Sequence, residues 1–248
     1  MRLGINVNPI QVSVTEAVDS GASVVRMPAW ADARRTPEDS LNFYFRYGSD
    51  LQDQDVEPLW VFDRRSWYPA YPDWAELPGI YFQMGNEPDL SSPSSYTQTP
   101  AAFSADLQWA VDHLSAPYLV AGGLASGRPD YLVGVDLADV DAIAVHPYGQ
   151  RPGSFPRPDW GFGEVATLIE RYRNWDHPIW VTEFGGNQHD FADPHKRLVY
   201  IDRMVDHLEQ VGVAVACLYC LSTVMHPDFG LTPAELNLFR VLAHKHRA

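Results

Sequence analysis

Two glutamates stand where short apolar runs end. Glu87 closes Tyr81-Phe82-Gln83-Met84-Gly85-Asn86-Glu87-Pro88, and Glu183 lies in Ile179-Trp180-Val181-Thr182-Glu183-Phe184-Gly185-Gly186. Both runs are rich in β-branched and aromatic residues and break at Pro or Gly. Each therefore reads as a buried strand with a carboxylate at its C-terminal tip. A parallel α/β barrel carries its chemistry at that end of its strands, and two carboxyl groups facing one cleft can cut a glycosidic bond. One must arrive protonated, to assist the leaving oxygen. The other must be ionised, to attack the anomeric carbon, and the two stand about 5–5.5 Å apart when configuration is retained.

Holding two such groups in register requires a rigid frame. Eight apolar strand candidates run along the chain: Leu3–Val7, Ser23–Met27, Pro58–Phe62, Gly79–Met84, Tyr118–Ala121, Ala142–Val145, Pro178–Thr182 and Val213–Leu221. Amphipathic stretches separate most of them, at Val12–Ser20, Thr36–Asp53, Pro100–Leu114, Phe162–Trp175 and Pro194–Val211. Only the weaker segments Asp73–Leu77 and Asp130–Asp136 follow the third and fifth strands. Asp193-Pro194 pairs a capping carboxylate with a proline at the first helical position. Thr232-Pro233-Ala234-Glu235 is a capping box that opens a last helix, Pro233–His246. Alternation argues for a parallel sheet, and eight units argue for closure into a (β/α)8 TIM barrel. Glu87 and Glu183 then crown the fourth and seventh strands, whose tips face each other across a small barrel.

Composition agrees. The 248 residues, 46% hydrophobic, suit one barrel of about 250 residues, and no linker or low-complexity stretch divides them. One catalytic domain over residues 1–248 is the expectation. No stretch approaches the roughly 20 apolar residues of a membrane span. From Met1 the chain runs into the first strand with no apolar leader region, which leaves the compartment open. A formal charge of -14 repels nucleic acid and anionic membranes and disfavours acidic polysaccharides. Arg64 and Arg65 are a local exception, and as a pair they also fit a solvated loop.

Cys217 and Cys220 lie three apart in one strand-like run and would point to opposite faces, so buried packing fits them better than a disulfide or a metal pair. The loops expected at the barrel mouth are unusually aromatic. Trp30 follows the second strand, Trp67, Tyr68, Tyr71 and Trp74 the third, and Phe155 and Trp160 the sixth. Singly, each ring can be local packing. Together on one rim they fit a groove for sugar rings, whose C–H faces pack on flat side chains.

Asn-Glu-Pro after the fourth strand with Thr-Glu-Phe-Gly after the seventh resembles the clan A glycoside hydrolases, over nearly the whole chain. The resemblance implies a retaining (β/α)8 glycosidase that uses no cofactor or metal and acts on a neutral, β-linked carbohydrate. It implies Glu87 as acid/base, Asn86 as a contact to the sugar 2-hydroxyl, and Glu183 as nucleophile. His146-Pro147-Tyr148-Gly149 matches the His and aromatic hydroxyl that clan members carry after the sixth strand. Val25-Arg26-Met27-Pro28 matches an Arg after the second. A cation and a hydroxyl beside Glu183 would keep it ionised. Arg26 as a barrel-end salt bridge and His146 as a satisfied core histidine remain open. So do Asn6 and Asn8, as substrate contacts or turn residues. Trp30 and Trp67 complete the expected substrate-binding set.

Two features depart from the clan pattern. Clan members commonly carry a Trp near the end of strand eight, and Tyr219-Cys220-Leu221-Ser222 runs through that region here, with Cys220 at the usual Trp position. The short third connection is similar to compact members such as the small β-1,3-glucanase-like families. A metal-dependent hydrolase would want paired His on strand one, which instead offers Asn-Val-Asn. An inactive carbohydrate-binding or structural barrel is the alternative from another class; it has no support from the residues, since both glutamates are present.

Overall fold

The eight apolar runs pair in chain order and the eighth returns to the first, which closes a parallel barrel. The protein is described by a computed structural model over residues 1–29, 37–62, 77–90, 98–114, 118–148, 162–191 and 193–247. Its strands are β1 (Arg2–Asn6), β2 (Val24–Pro28), β3 (Glu57–Phe62), β4 (Tyr81–Met84), β5 (Tyr118–Leu124), β6 (Ala142–Val145), β7 (Ile179–Phe184) and β8 (Val215–Leu218). Around them lie α1 (Val14–Asp19), α2 (Pro37–Gln52), α3 (Pro100–His113), α4 (Phe162–Tyr172), α5 (Pro194–Gln210) and α6 (Pro233–Lys245). The (β/α)8 expectation holds. Among the described residues no helix is long and apolar enough to cross a membrane.

The helices begin where the caps require. Asp193 accepts the His195 N–H at 2.9 Å and opens α5. Thr232 and Glu235 close their reciprocal box at α6, and Ser13 with Glu16 forms a second box at α1. Each box satisfies N–H groups that a helix start leaves orphaned. The expected helix Asp130–Asp136 is instead a short 3-10 turn, Pro129–Gly134. Most of the segment Asp73–Leu77 lies outside the described residues.

Side chains of the strands alternate between two cores. Outward residues such as Ile5, Met27, Trp60, Phe82, Ile143 and Val181 are packed into the layer beneath the helices. Burying each of these contributes roughly 1.5–3 kcal/mol. Inward residues fill the barrel in layers. At the N-terminal mouth the rings of Tyr118 and Trp180 stack at 5.3 Å, with Tyr81 edge-on to Trp180 and the Arg2 guanidinium 5.4 Å from the Tyr81 ring. Val24, Leu59, Val120, Ala144 and Cys217 fill the middle. Gly4 leaves room there, because a Cβ would meet the Cys217 sulfur at 2.6 Å and the Val24 carbonyl at 2.8 Å. The top layer is polar: Asn6, Arg26, Gln83, His146 and Thr182, all buried.

β8 is shorter than the apolar run that encodes it. It stops at Leu218, although the run continues to Leu221. Beyond it the backbone divides its partners, with Tyr219 donating to the Phe184 carbonyl on β7 and Leu221 to the Asn6 carbonyl on β1. Residues 219–221 are apolar because they pack under the following loop, not because they extend the sheet. Cys217 and Cys220 are both free and buried, as expected, and burial pushes their thiols up to about 12 and about 11.

Candidate active site

The site grows out of the polar layer at the C-terminal end of the strands. β1 and β2 pair with Asn6 beside Arg26, so both side chains enter the barrel at one level. Arg26 is only 5% exposed, and a guanidinium that deep must spend its donors. Its Nε donates to Gln83 Oε1 at 3.1 Å, and its Nη2 to Asn86 Oδ1 at 2.7 Å. Its Nη1 donates to Asn6 Oδ1 and to Glu183 Oε1, both at 2.6 Å. Three neutral amides and one carboxylate thus surround one cation. The charge of Arg26 has a single partner of opposite charge among them, and that partner is Glu183.

Glu183 stands at the end of β7, where the register to β8 shifts between Val181 and Phe184. Such an irregularity re-aims side chains, and here it lets Thr182 and Glu183 both reach His146. His146 Nε2 lies 3.1 Å from Thr182 Oγ1, and its Nδ1 lies 3.8 Å from Glu183 Oε2. The Tyr148 hydroxyl donates to that same Oε2 at 2.5 Å. Burial opposes ionisation of Glu183. The charges of His146 and Arg26, with the hydrogen bonds from Tyr148 and Arg26, outweigh it and hold the pKa below the ordinary glutamate value. Tyr148 moves the other way. Burial first, then the neighbouring Glu183, raise its pKa well above that of a free phenol, so it stays a donor.

Glu87 has a different setting. It follows β4 in the left-handed region at φ 55°, and its N–H donates to the Gly123 carbonyl at 3.0 Å. Gly123 needs to be glycine: its φ is +80°, and a Cβ would press on Gln83 Nε2 at 2.8 Å and His146 Nε2 at 3.0 Å. The Glu87 side chain is 25% exposed against 10% for Glu183. Its Oε1 lies 3.2 Å from His146 Nδ1. Donor atoms of Glu87, His146 and Glu183 lie within 4.8 Å of one another. Three such donors are a conceivable cation site, but Glu183 already accepts from Arg26 and Tyr148, and the adjacent guanidinium repels a second cation.

Four expected residues, Arg26, Asn86, His146 and Tyr148, come together with the two glutamates. Arg26 is both a barrel-end salt bridge and the partner of Glu183. His146 bridges the carboxyl groups from a fully buried position. Asn6 proves to be a support: its Nδ2 donates to the carbonyls of Thr182 at 3.0 Å and Leu218 at 3.4 Å. Asn8 is a turn residue, with Oδ1 accepting from the Ile10 N–H. Trp30, Trp67, Tyr68, Tyr71, Trp74, Phe155, Trp160, Arg64 and Arg65 lie outside the described residues.

The strand-eight reading changes. Cys220 is fully buried, with its sulfur 3.5 Å from the Ser222 carbonyl, and does not reach the cleft. Tyr219, one residue earlier, packs edge-on to Tyr148 at 6.3 Å. Phe229 joins both rings, at 6.0 Å from Tyr148 and 5.6 Å from Tyr219, and His226 meets Phe229 at 4.9 Å. Arg197 of α5, itself buried, holds this wall by donating to the carbonyls of Gly186, Phe229 and Gly230 and to Glu235. The sequence reading missed Gln83, Phe229 and Arg197. Gln83 carried a signal, since a lone amide inside an apolar strand must find partners. Phe229 carried none.

Paired carboxyl groups thus stand at the mouth of a closed parallel barrel. The chain belongs to the family described as the glycosyl hydrolase catalytic core, whose model matches residues 36–215. No curated protein matches the chain in sequence. Solved structures share its fold at low identity. The exo-beta-1,4-mannosidase Op5Man5 from Opitutaceae bacterium strain TAV5 superposes with a TM-score of 0.74 at 14% identity, over 99% of this chain and 59% of the mannosidase. A GH5_18 protein from Bifidobacterium longum subsp. infantis gives 0.70 at 14%, over 100% and 79%. Cel5A from Thermotoga maritima, in a mutant form with cellobiose, gives 0.67 at 15%, over 96% of each chain. This chain thus spans about three fifths of the mannosidase it resembles, and its fold is that of the clan A enzymes.

Proposed function

We propose that the chain, as one catalytic domain over residues 1–248, is a retaining glycosidase acting on a neutral, β-linked oligo- or polysaccharide. The observation that carries this reading is the asymmetric pair: Glu87 and Glu183 oxygens within 4.8 Å, with the cation and the phenol on Glu183 alone. In the first step an ionised Glu183 oxygen attacks the anomeric carbon. The bond to the leaving oxygen breaks as Glu87 gives that oxygen its proton, and a glycosyl ester of Glu183 forms. In the second step Glu87, now a carboxylate, takes a proton from water. That water attacks the anomeric carbon and releases Glu183. A separation near 5 Å leaves no room for a water between the carboxyl groups, which favours retention over inversion.

Asn86, half-buried beside the pair, is assigned to the substrate, and so, from the sequence, is His146, although its ring is buried between Glu87 and Thr182. Trp30 and Trp67 are assigned to it from the sequence alone. A net charge of -14 favours neutral glycans over uronic acid polymers. The named neighbours include a mannosidase and a cellobiose-bound protein, which makes β-mannans and β-glucans the first substrates to try. The test is a panel of neutral β-glucans, mannans, xylans and galactans with resolved products, followed by proton NMR of the first-formed anomer. Retained configuration is expected. An inverted first product would remove Glu183 from the nucleophile role, and binding without turnover would favour the inactive module.

A further inference from the structure

A glutamate that must aim a proton at a leaving oxygen has to be held in place. Glu87 has one described side-chain contact, to His146, and a left-handed backbone that a non-glycine residue keeps only when its surroundings impose it. Its turn is closed locally by the Leu90 N–H donating to the Glu87 carbonyl at 3.1 Å. Asp89 ties the far side of that turn to the barrel. Its Oδ1 accepts the Ala125 N–H at 3.0 Å. Its Oδ2 accepts the Ser126 N–H at 3.0 Å and the Ser126 hydroxyl at 2.5 Å. Ala125 and Ser126 directly follow β5, so one carboxylate bridges the tips of two neighbouring strands. The Pro88 carbonyl adds a smaller tether, accepting from the Gln98 N–H at 2.9 Å.

We propose that Asp89 is the positioning residue of the acid/base: by binding the two N–H groups and the hydroxyl at the end of β5, it fixes the left-handed turn that aims Glu87. The proposal rests on the reading of Glu87 given above. Three donors on one ionised acceptor make strong bonds, and they converge two residues beyond Glu87, where a tilt of the turn is carried straight to its carboxyl. A displacement of about 1 Å at a reacting group can cost about 100-fold in rate.

A staple that served folding alone would act on every substrate alike, whereas a device that aims a proton matters only when the leaving group needs one. The experiment compares a phenyl and a 2,4-dinitrophenyl β-glycoside of the sugar chosen by the glycan panel, in wild type, Asp89→Asn and Asp89→Ala. For the phenyl substrate kcat/KM should fall about 100-fold in Asp89→Ala and about tenfold in Asp89→Asn. Dinitrophenolate leaves unaided, so that substrate should stay within about threefold of wild type in both variants. Asp89→Asn keeps one acceptor oxygen and carries the comparison if Asp89→Ala does not fold. Equal losses on both substrates, or no loss on either, would overturn the positioning role. A wild type inert towards every glycoside would instead remove the glycosidase reading, and this inference with it.

Discussion

Glu87 and Glu183 are the same side chain within 4.8 Å of each other, yet the barrel treats them in opposite ways. Glu183 is buried, bonded by Arg26 on one oxygen and Tyr148 on the other, and its pKa lies below the ordinary value of 4.5. Glu87 sits on a left-handed turn, is more than twice as exposed, and touches only His146 among the described side chains. The difference is one of aim: Arg26 also donates to Gln83 and Asn86 at the β4 end, but the carboxylate that it and the Tyr148 phenol reach is that of Glu183. In the proposed mechanism the carboxyl group that must remain ionised is thus surrounded by donors, and the one that would exchange a proton each turnover is held by its backbone and is the more exposed.

The largest expected effect breaks the Glu183 side. Glu183→Ala should lower turnover by at least about 10⁴-fold while glycan binding survives, because a nucleophile acts on the transition state more than on ground-state binding. Azide should enter the vacated space, restore cleavage of an activated aryl glycoside, and yield a glycosyl azide of opposite anomeric configuration. Wild-type-like turnover in this variant would end the double-displacement mechanism.

Glu87→Gln should separate the two roles. With a poor leaving group kcat/KM should fall by about 10²–10⁴-fold, and with dinitrophenolate far less. Azide should again raise turnover, now by attacking the glycosyl ester, and the product should keep the starting configuration. Exchanged configurations, retained from Glu183→Ala and opposite from Glu87→Gln, would show that the two roles had been assigned the wrong way round.

Arg26→Met sharpens the electrostatic half of the comparison. Without the guanidinium the pKa of Glu183 should rise, so the acid limb of kcat/KM should move to higher pH, with a loss of about 100-fold near neutrality. Stability should fall by roughly 3–5 kcal/mol, since a buried carboxylate loses its cation. The sign of the pH dependence is fixed by the lowered folded-state value of Glu183. Its stabilising contribution is present above the unfolded value and lost as pH drops through the folded one. The variant should therefore show a weaker dependence of stability on pH below about 4.5. An unmoved acid limb would assign that limb to another group.

Tyr148→Phe should do the same on a smaller scale. One hydrogen bond to a charged acceptor is lost, which predicts about a tenfold fall in kcat/KM and a smaller upward shift of the acid limb. A fall equal to that of Arg26→Met would mean that Tyr148 also contacts the substrate.

Most of this fold was legible because its signals are local. Strand runs of Val, Ile and aromatic residues, caps at Asp193 and Thr232, and alternation along the chain each depend on neighbours in sequence. The errors fell where long-range packing overrode that pattern. The run through Cys217 and Cys220 reads as one strand, but β8 ends at Leu218, and Tyr219 packs against His226 and Phe229 of the following loop. Cys220, which the resemblance puts at the usual Trp position, is fully buried, and its neighbour Tyr219 adjoins Tyr148. A one-residue slip in an extended segment moves a side chain to the opposite face, and nothing in the sequence fixes that register.

What the sequence determined by itself was the pair of glutamates, the strands they end, and the Arg, Asn, His and Tyr that accompany them. Each stands next to the local motif that reveals it. What only the tertiary structure decided was the distribution of those companions: Arg26 and Tyr148 on Glu183, His146 between the two carboxyl groups, and Asn6 and Gln83 turned inward to satisfy the remaining donors of Arg26. These contacts join residues of five different strands or strand ends. Their partners are chosen by strand register and barrel closure, and a buried charge depends on the hydrogen bonds that this arrangement supplies.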